Sequence, residues 1–156
     1  MDTLDINDEA NQLSRVPLFA KLDTAKLKLI AFTSEQLALR AQEYLFHRNA
    51  PADAVYLVLD GFLEVMHERE DGEAEAILQL GQNSLIGEMG VISNAPRSAS
   101  IRSAGESRVL KIEADTFMDL LSENPSMSLH VMRELTDKLS QSLVREVSLR
   151  EQGAPV

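Results

Sequence analysis

Hydrophobic and polar positions along the chain change period twice, and each change marks a change of structure. Pro17 is followed by Leu18 and Phe19, which anchor the approach to a short helix over 25–32, where Leu27, Ile30 and Ala31 fall at i, i+3 and i+4 behind Asp23-Thr24. From Leu37 to about Ile112 the texture becomes short runs of Val, Ile, Leu and Tyr, broken by Asn49-Ala50-Pro51, Asp60-Gly61, Asp71-Gly72, Gly81 and Gly105. That spacing predicts consecutive antiparallel strands. Residues 54–59 and 62–67 flank Asp60-Gly61, a dipeptide favoured where a tight turn needs positive φ, and Asp71-Gly72 marks a second hairpin leading into 76–80. Residues 98–102 and 108–112 supply two more strands, and a rolled or sandwiched β body follows.

Beyond Ile112 the helical period returns, first with Phe117, Leu120 and Leu121, then past Asn124-Pro125 to about Arg150. Pro125 suits the first turn of that long helix. Val131, Met132, Leu135, Leu139, Leu143 and Val147 make a stripe along it that must be covered by the β body or by another chain. With 156 residues, one domain is expected, spanning 15–150 with tails at 1–14 and 151–156.

Charge narrows the partners. Fifteen basic against 25 acidic side chains leave a net charge of −10, which repels duplex nucleic acid over most of the surface. Cysteine is absent, so disulfides and thiolate metal sites are excluded and the composition suits a reducing compartment. The acidic amino terminus lacks the parts of a secretory signal, and no apolar run approaches the ~18 residues of a bilayer span. A soluble, cytoplasmic protein without membrane contact is expected. The histidines, His47, His67 and His130, lie too far apart for a ligand motif, and neither a Gly-x-Ser-x-Gly elbow nor a phosphate loop ending in Gly-Lys-Ser/Thr is present. The expectation is therefore no metal and no enzymatic chemistry.

Candidate chemistry concentrates between Leu85 and Ile101. Gly87 lets the backbone approach a ligand, and residues 88–92 can form one helical turn whose amino end offers unpaired N–H groups to an anion. Arg97 follows nine residues after Glu88, behind Pro96, and its planar fork of donors matches phosphate oxygens. Ser98 adds a hydroxyl and Ala99 a backbone N–H beside a small side chain. Glu88 would repel phosphate but can accept hydrogen bonds from a sugar hydroxyl. A ligand with one phosphate, a neighbouring ribose hydroxyl and an apolar base satisfies all of these groups, a description that fits a cyclic mononucleotide.

The Gly87-Glu88 pair followed by Pro96-Arg97-Ser98-Ala99 resembles the phosphate-binding cassette of the cyclic nucleotide-binding domain, as in catabolite-activator-type regulators and protein kinase A regulatory subunits. Val16-Pro17-Leu18-Phe19, Val58-Leu59-Asp60-Gly61, Leu80-Gly81 and Asn124-Pro125 are similar to further family landmarks, so the resemblance covers about 15–150. It implies a mainly β fold with flanking helices: an antiparallel, jelly-roll-like β-roll (a double-stranded β-helix) with an amino-terminal helix, a short cassette helix and a long carboxy-terminal helix. It implies that Glu88 receives the ribose 2′-hydroxyl, that Arg97 pairs with the cyclic phosphate, and that Ser98 and the N–H groups of the loop, Ala99 included, complete the cage. Met89 and Gly90 would begin the cassette helix, Ile86 would lie against the ligand's edge, and Val65 and Leu78 would form the inner wall against sugar and base. Ser142, counted from Asn124-Pro125, would stand near an adenine amino group.

The resulting expectation is a sensor that binds cyclic AMP in preference to cyclic GMP and moves its last helix, with a homodimer along that helix and an unidentified effector protein as partners. Relatives that control transcription continue into a helix-turn-helix, and with the chain ending at Val156 no contact with nucleic acid is expected. The competing expectation is an interaction scaffold that keeps the fold and binds no nucleotide.

Overall fold

The structure, a computed structural model, describes residues 5–153; the sequence-predicted tails lie partly outside that range. Helix α1 (Ile6–Ser14) opens it, capped by Asp5, whose Oδ1 accepts from the Asp8 N–H at 2.8 Å. A 3₁₀ turn (Pro17–Phe19) leads to α2 (Thr24–Thr33), capped in the same way by Asp23, with 2.9 Å to the Lys26 N–H. Residues 6–14 are thus a helix where the sequence reading expected a tail. Its acidic, polar composition hides the two side chains, Ala10 and Leu13, that anchor it in the core.

Strands β1 (Glu35–Leu39), β2 (Tyr44–Phe46), β3 (Ala54–Asp60), β4 (Leu63–Glu68), β5 (Ala74–Leu80) and β6 (Leu85–Ile86) follow, then the short helix α3 (Glu88–Ser93), strands β7 (Ser100–Ser103) and β8 (Ser107–Glu113), and helices α4 (Ala114–Glu123) and α5 (Pro125–Glu151). The strands form two four-stranded antiparallel sheets, ordered β1-β8-β3-β6 and β2-β7-β4-β5. The result is the β-roll with flanking helices. The turn between β3 and β4 requires Gly61: its φ is +84°, and a Cβ there would stand 2.6 Å from the Glu106 carbonyl oxygen.

The first sheet is covered on both faces. Along β3, Val55, Leu57 and Leu59 point into a core shared with α1, α2, α4 and the start of α5, whereas Ala54, Tyr56 and Val58 point into the roll with Leu63, Ile86, Ile101 and Val109. Alternation of side chains across a strand buried on both sides gives the nearly unbroken apolar run at 54–59. Asn124 ties the helices together, accepting from Lys26 Nζ at 2.8 Å and donating to the Leu120 carbonyl at 2.9 Å.

Helix α5 is buried only in its first two turns, at Met127 and Val131. Of the sequence-predicted stripe, Val131 alone meets the body; Met132, Leu135, Leu139, Leu143 and Val147 are exposed.

Candidate functional site

The site is built on the segment between β6 and β7. Gly87 ends β6 with φ of +85°, the left-handed backbone that turns the chain into α3, and a Cβ on it would overlap the Arg97 guanidinium. Helix α3 stops after one and a half turns because Asn94 is itself left-handed, at φ of +52°. The chain then returns extended, and two backbone hydrogen bonds fix Arg97 against the segment before β3: its N–H reaches the Ala50 carbonyl at 2.9 Å, and its carbonyl accepts from the Asn49 N–H at 2.8 Å. The Ser100 hydroxyl accepts from the Arg48 N–H at 2.8 Å and holds the start of β7 beside them.

From this backbone the Arg97 side chain runs inward and is only 3% exposed. Nη1 donates to the Gly87 carbonyl at 2.9 Å, Nη2 to the Ala54 carbonyl at 2.5 Å, and the guanidinium lies 4.1 Å above the centre of the Phe46 ring. The Asp53 carboxylate is 3.9 Å from Nη2 but mostly exposed, so solvent screens it. Nε is buried with no hydrogen-bond partner among the described residues. Burial pulls this guanidinium below its ordinary pKa, against the opposing influence of Tyr56 and Asp53, and an arginine so placed stays cationic at neutral pH. A buried cation with one donor unused is costly unless something accepts from it.

Glu88, the first residue of α3, faces the same space. Burial raises its pKa most; its own backbone N–H opposes that, Glu134 on α5 raises it further and Lys138 lowers it.

Arg97 and Glu88 line one cavity of about 550 Å³. Nine of the eleven sequence-predicted residues surround it: Val65, Ile86, Gly87, Glu88, Met89, Gly90, Arg97, Ser98 and Ala99. The other two do not. Leu78 pairs with Val65 but lies on β5, at the open edge of its sheet, and is 58% exposed. Ser142 is exposed on α5, one turn beyond Lys138, the residue of that helix that does reach the cavity. Sequence reasoning also passed over Phe46, Leu80, Leu85 and Ile101, which make the wall apolar. Phe46 carried a signal, an aromatic residue just before the Pro51 turn, but only the fold brings it under Arg97.

A smaller cavity of about 200 Å³ lies on the other side of the loop, between the 3₁₀ turn, Asn83, Met89, and His130, Val131 and Glu134 of α5. Glu88 lines both cavities. Among the described residues no three His, Asp or Glu side chains are grouped to hold a metal, and no helix is long and apolar enough to cross a membrane.

A cavity with a buried cation at one point of its wall, a half-buried carboxylate at another and apolar side chains between can hold a small anion that also carries a hydroxyl donor and a flat apolar part. Comparison with known proteins agrees with that chemistry. The family model described as the cyclic nucleotide-binding domain matches residues 36–124. An uncharacterized NTE family protein of Mycobacterium tuberculosis is 33% identical over 136 residues, 86% of this chain, and the chain spans only 22% of that relative's length. Among solved structures, a cyclic nucleotide-binding-like protein from Brucella abortus superposes with a TM-score of 0.65 at 30% identity, covering 74% of this chain and 98% of the other. The regulatory domain of Toxoplasma gondii protein kinase A, in co-crystal with cyclic AMP, gives a TM-score of 0.70 at 23% identity, covering 81% of this chain and 50% of that one.

Proposed function

The chain belongs to the cyclic nucleotide-binding domain family, and from that premise we propose that it is a sensor module that binds a cyclic mononucleotide in the 550 Å³ cavity, cyclic AMP in preference to cyclic GMP. One observation carries the reading: Arg97 and Glu88, of opposite charge, line the same cavity, and Arg97 keeps a buried Nε–H without an acceptor. A cyclic phosphate oxygen supplies that acceptor, with the Ser98 hydroxyl and the loop N–H groups from Met89, Gly90 and Ala99 around it. Glu88 accepts the ribose hydroxyl. Val65, Leu80, Ile86 and Ile101 take the apolar faces of sugar and base. The preference for adenine is supported by the cyclic AMP held by the Toxoplasma gondii regulatory domain.

Binding, not catalysis, is the proposed role, and α5 is the proposed output. It reaches the site at Lys138 and carries an uncovered apolar stripe from Met132 to Val147, so a ligand that shifts its angle moves the surface it offers. The stripe's spacing suits the same stripe of a second copy, and an effector protein reads the assembled helices.

The test is a thermal melt with millimolar cyclic AMP or cyclic GMP, followed by calorimetry. A ligand of the native state raises Tm. Arg97→Met keeps the apolar stem, and a melt without ligand checks that it folds. Loss of one partner of a buried charge pair costs about 2 to 5 kcal/mol, so affinity should fall roughly thirty-fold to several thousand-fold. A folded Arg97→Met variant with unchanged affinity overturns the assignment. A wild-type melt that neither nucleotide moves leaves the scaffold as the reading.

A further inference from the structure

Glu88, with Leu85 and Met89, lines both cavities, and α5 contributes a charged side chain to each. Glu134 lines the small cavity and Lys138 the large one. They are four residues apart on a continuous helix, so their side chains stack on one face with opposite charges one turn apart. Glu134 is held by His130, which lines the same small cavity, at 2.8 Å.

We propose that Lys138 and Glu134 are opposed positioning residues for Glu88: α5 sets a cation at the large cavity and an anion at the small one, on either side of the residue the two cavities share, so that the placement of the helix sets the affinity of the site.

A hydroxyl donor binds a carboxylate more strongly when the carboxylate is ionised, because it then offers only acceptors. The charged or titratable groups that line the two cavities with Glu88 are Lys138, Glu134 and His130 from α5 and Arg97 from the loop before β7; the segment before α2 contributes the apolar Val16, Pro17 and Leu18. Of these, the two that act on Glu88 with opposite sign both belong to the moving element, and a shift of about one turn exchanges one for the other. Both are solvent-accessible, so each effect is modest.

The proposal rests on the sensor reading above, and its test separates the two. In the full chain, Lys138→Met removes the charge and keeps the stem; Glu134→Gln removes the charge and keeps an acceptor for His130. The titration of the Glu88 side chain is followed by carbon-detected NMR without ligand, and cyclic AMP and cyclic GMP affinities are measured by calorimetry between acid and neutral pH. Lys138→Met should raise the Glu88 titration midpoint, weaken binding about two- to fivefold near neutral pH, and move the acid loss of affinity to higher pH. Glu134→Gln should lower the midpoint, strengthen binding by a similar factor and move the acid loss to lower pH. A merely structural role for either residue leaves the midpoint in place. Midpoints that stay put, or that both move the same way, overturn the proposal whether or not nucleotide binds. Opposite midpoint shifts with no nucleotide bound overturn the sensor reading and, with it, the claim that the helix sets affinity.

Discussion

The two sheets of the roll are alike in strand number and differ most in burial at β3 of the first and β5 of the second. In the first, the six residues of β3 before Asp60 are all buried, and β8 beside it nearly so. In the second, β5 is exposed along almost its whole length. The central strands β3 and β8 of the first sheet have helices on one face and the roll interior on the other, so their side chains are covered on either face. The second has the interior on one side and nothing on its outer edge. Stability and the proposed binding therefore fall in different places: the first sheet with its helices holds the roll together, and the 550 Å³ cavity opens where the second sheet meets the loop that the first one anchors.

The largest effect expected from that division is on stability. Leu110 of β8 is fully buried in the core between the first sheet and the helices. Leu110→Ala removes its methyl groups and leaves a cavity the surrounding elements cannot fill, at a cost of about 2 to 5 kcal/mol. Against a total of roughly 5 to 15 kcal/mol for a native domain this is a large fraction, and it should appear as a lower urea midpoint at unchanged slope. A loss under about 0.5 kcal/mol, the scale of surface changes, would break the comparison at its root.

The same division explains what could be read from the amino-acid string. Residues 54–59 announced themselves because a strand covered on both faces needs apolar side chains at every position, 108–112 because Val109, Leu110 and Ile112 make a short aliphatic run, and Asp60-Gly61 announced the turn because only a residue free to adopt positive φ fits there. Gly87, Glu88 and Arg97 were legible for a similar reason: a backbone that must approach a guanidinium closely leaves no choice at 87. What was not legible depends on where separate elements come to rest. Arg97 was expected to face a ligand; the fold gives two of its donors to the Gly87 and Ala54 carbonyls and its plane to Phe46, three partners distant in the chain. Ser142 was placed by counting along a helix, and counting fixes the phase of α5 but not its angle to the roll, so Lys138 arrives instead. Leu78 has the alternation of an inner-wall residue, but alternation says nothing of whether a strand is at an edge.

A smaller and pH-dependent effect sharpens the comparison at the site itself. Glu88 has its pKa raised in the folded protein, chiefly by burial. Between its unfolded value, about 4.3, and the higher folded one, the native state binds more protons than the unfolded state, so stability falls as pH rises through that window and is level beyond it. At neutral pH the ionised carboxylate thus costs the ligand-free protein stability. Glu88→Gln should make the empty protein more stable than wild type at pH 7, with the advantage shrinking on acidification and gone below the unfolded value. Urea unfolding at pH 4 and pH 7 measures it. In the same variant the hydroxyl acceptor is weakened, so nucleotide affinity should drop while stability rises. A site residue that behaved like Leu110, losing both together, would erase the distinction between the region that binds and the region that holds.

The smallest effect is expected at β5. Leu78 and its neighbour Ile77 point to opposite faces of the strand, and at 58% and 60% exposure neither is covered. Burial of apolar area is worth about 25 cal/mol per Å², and a side chain more than half in water has already forgone most of that. Leu78→Ser should therefore change unfolding free energy by no more than about 0.5 kcal/mol. The informative measurement is nucleotide affinity in that variant. Val65, directly opposite on β4, lines the cavity, whereas Leu78 does not. If the open strand stays open when ligand enters, Leu78→Ser binds as wild type does. If ligand draws β5 inward, Leu78 gains cover only in the bound state, and the substitution weakens binding with no change in the stability of the empty protein. Either outcome leaves Leu110→Ala as the stability-determining change. A loss of stability at Leu78 comparable to that at Leu110 would mean that the second sheet bears the fold as much as the first.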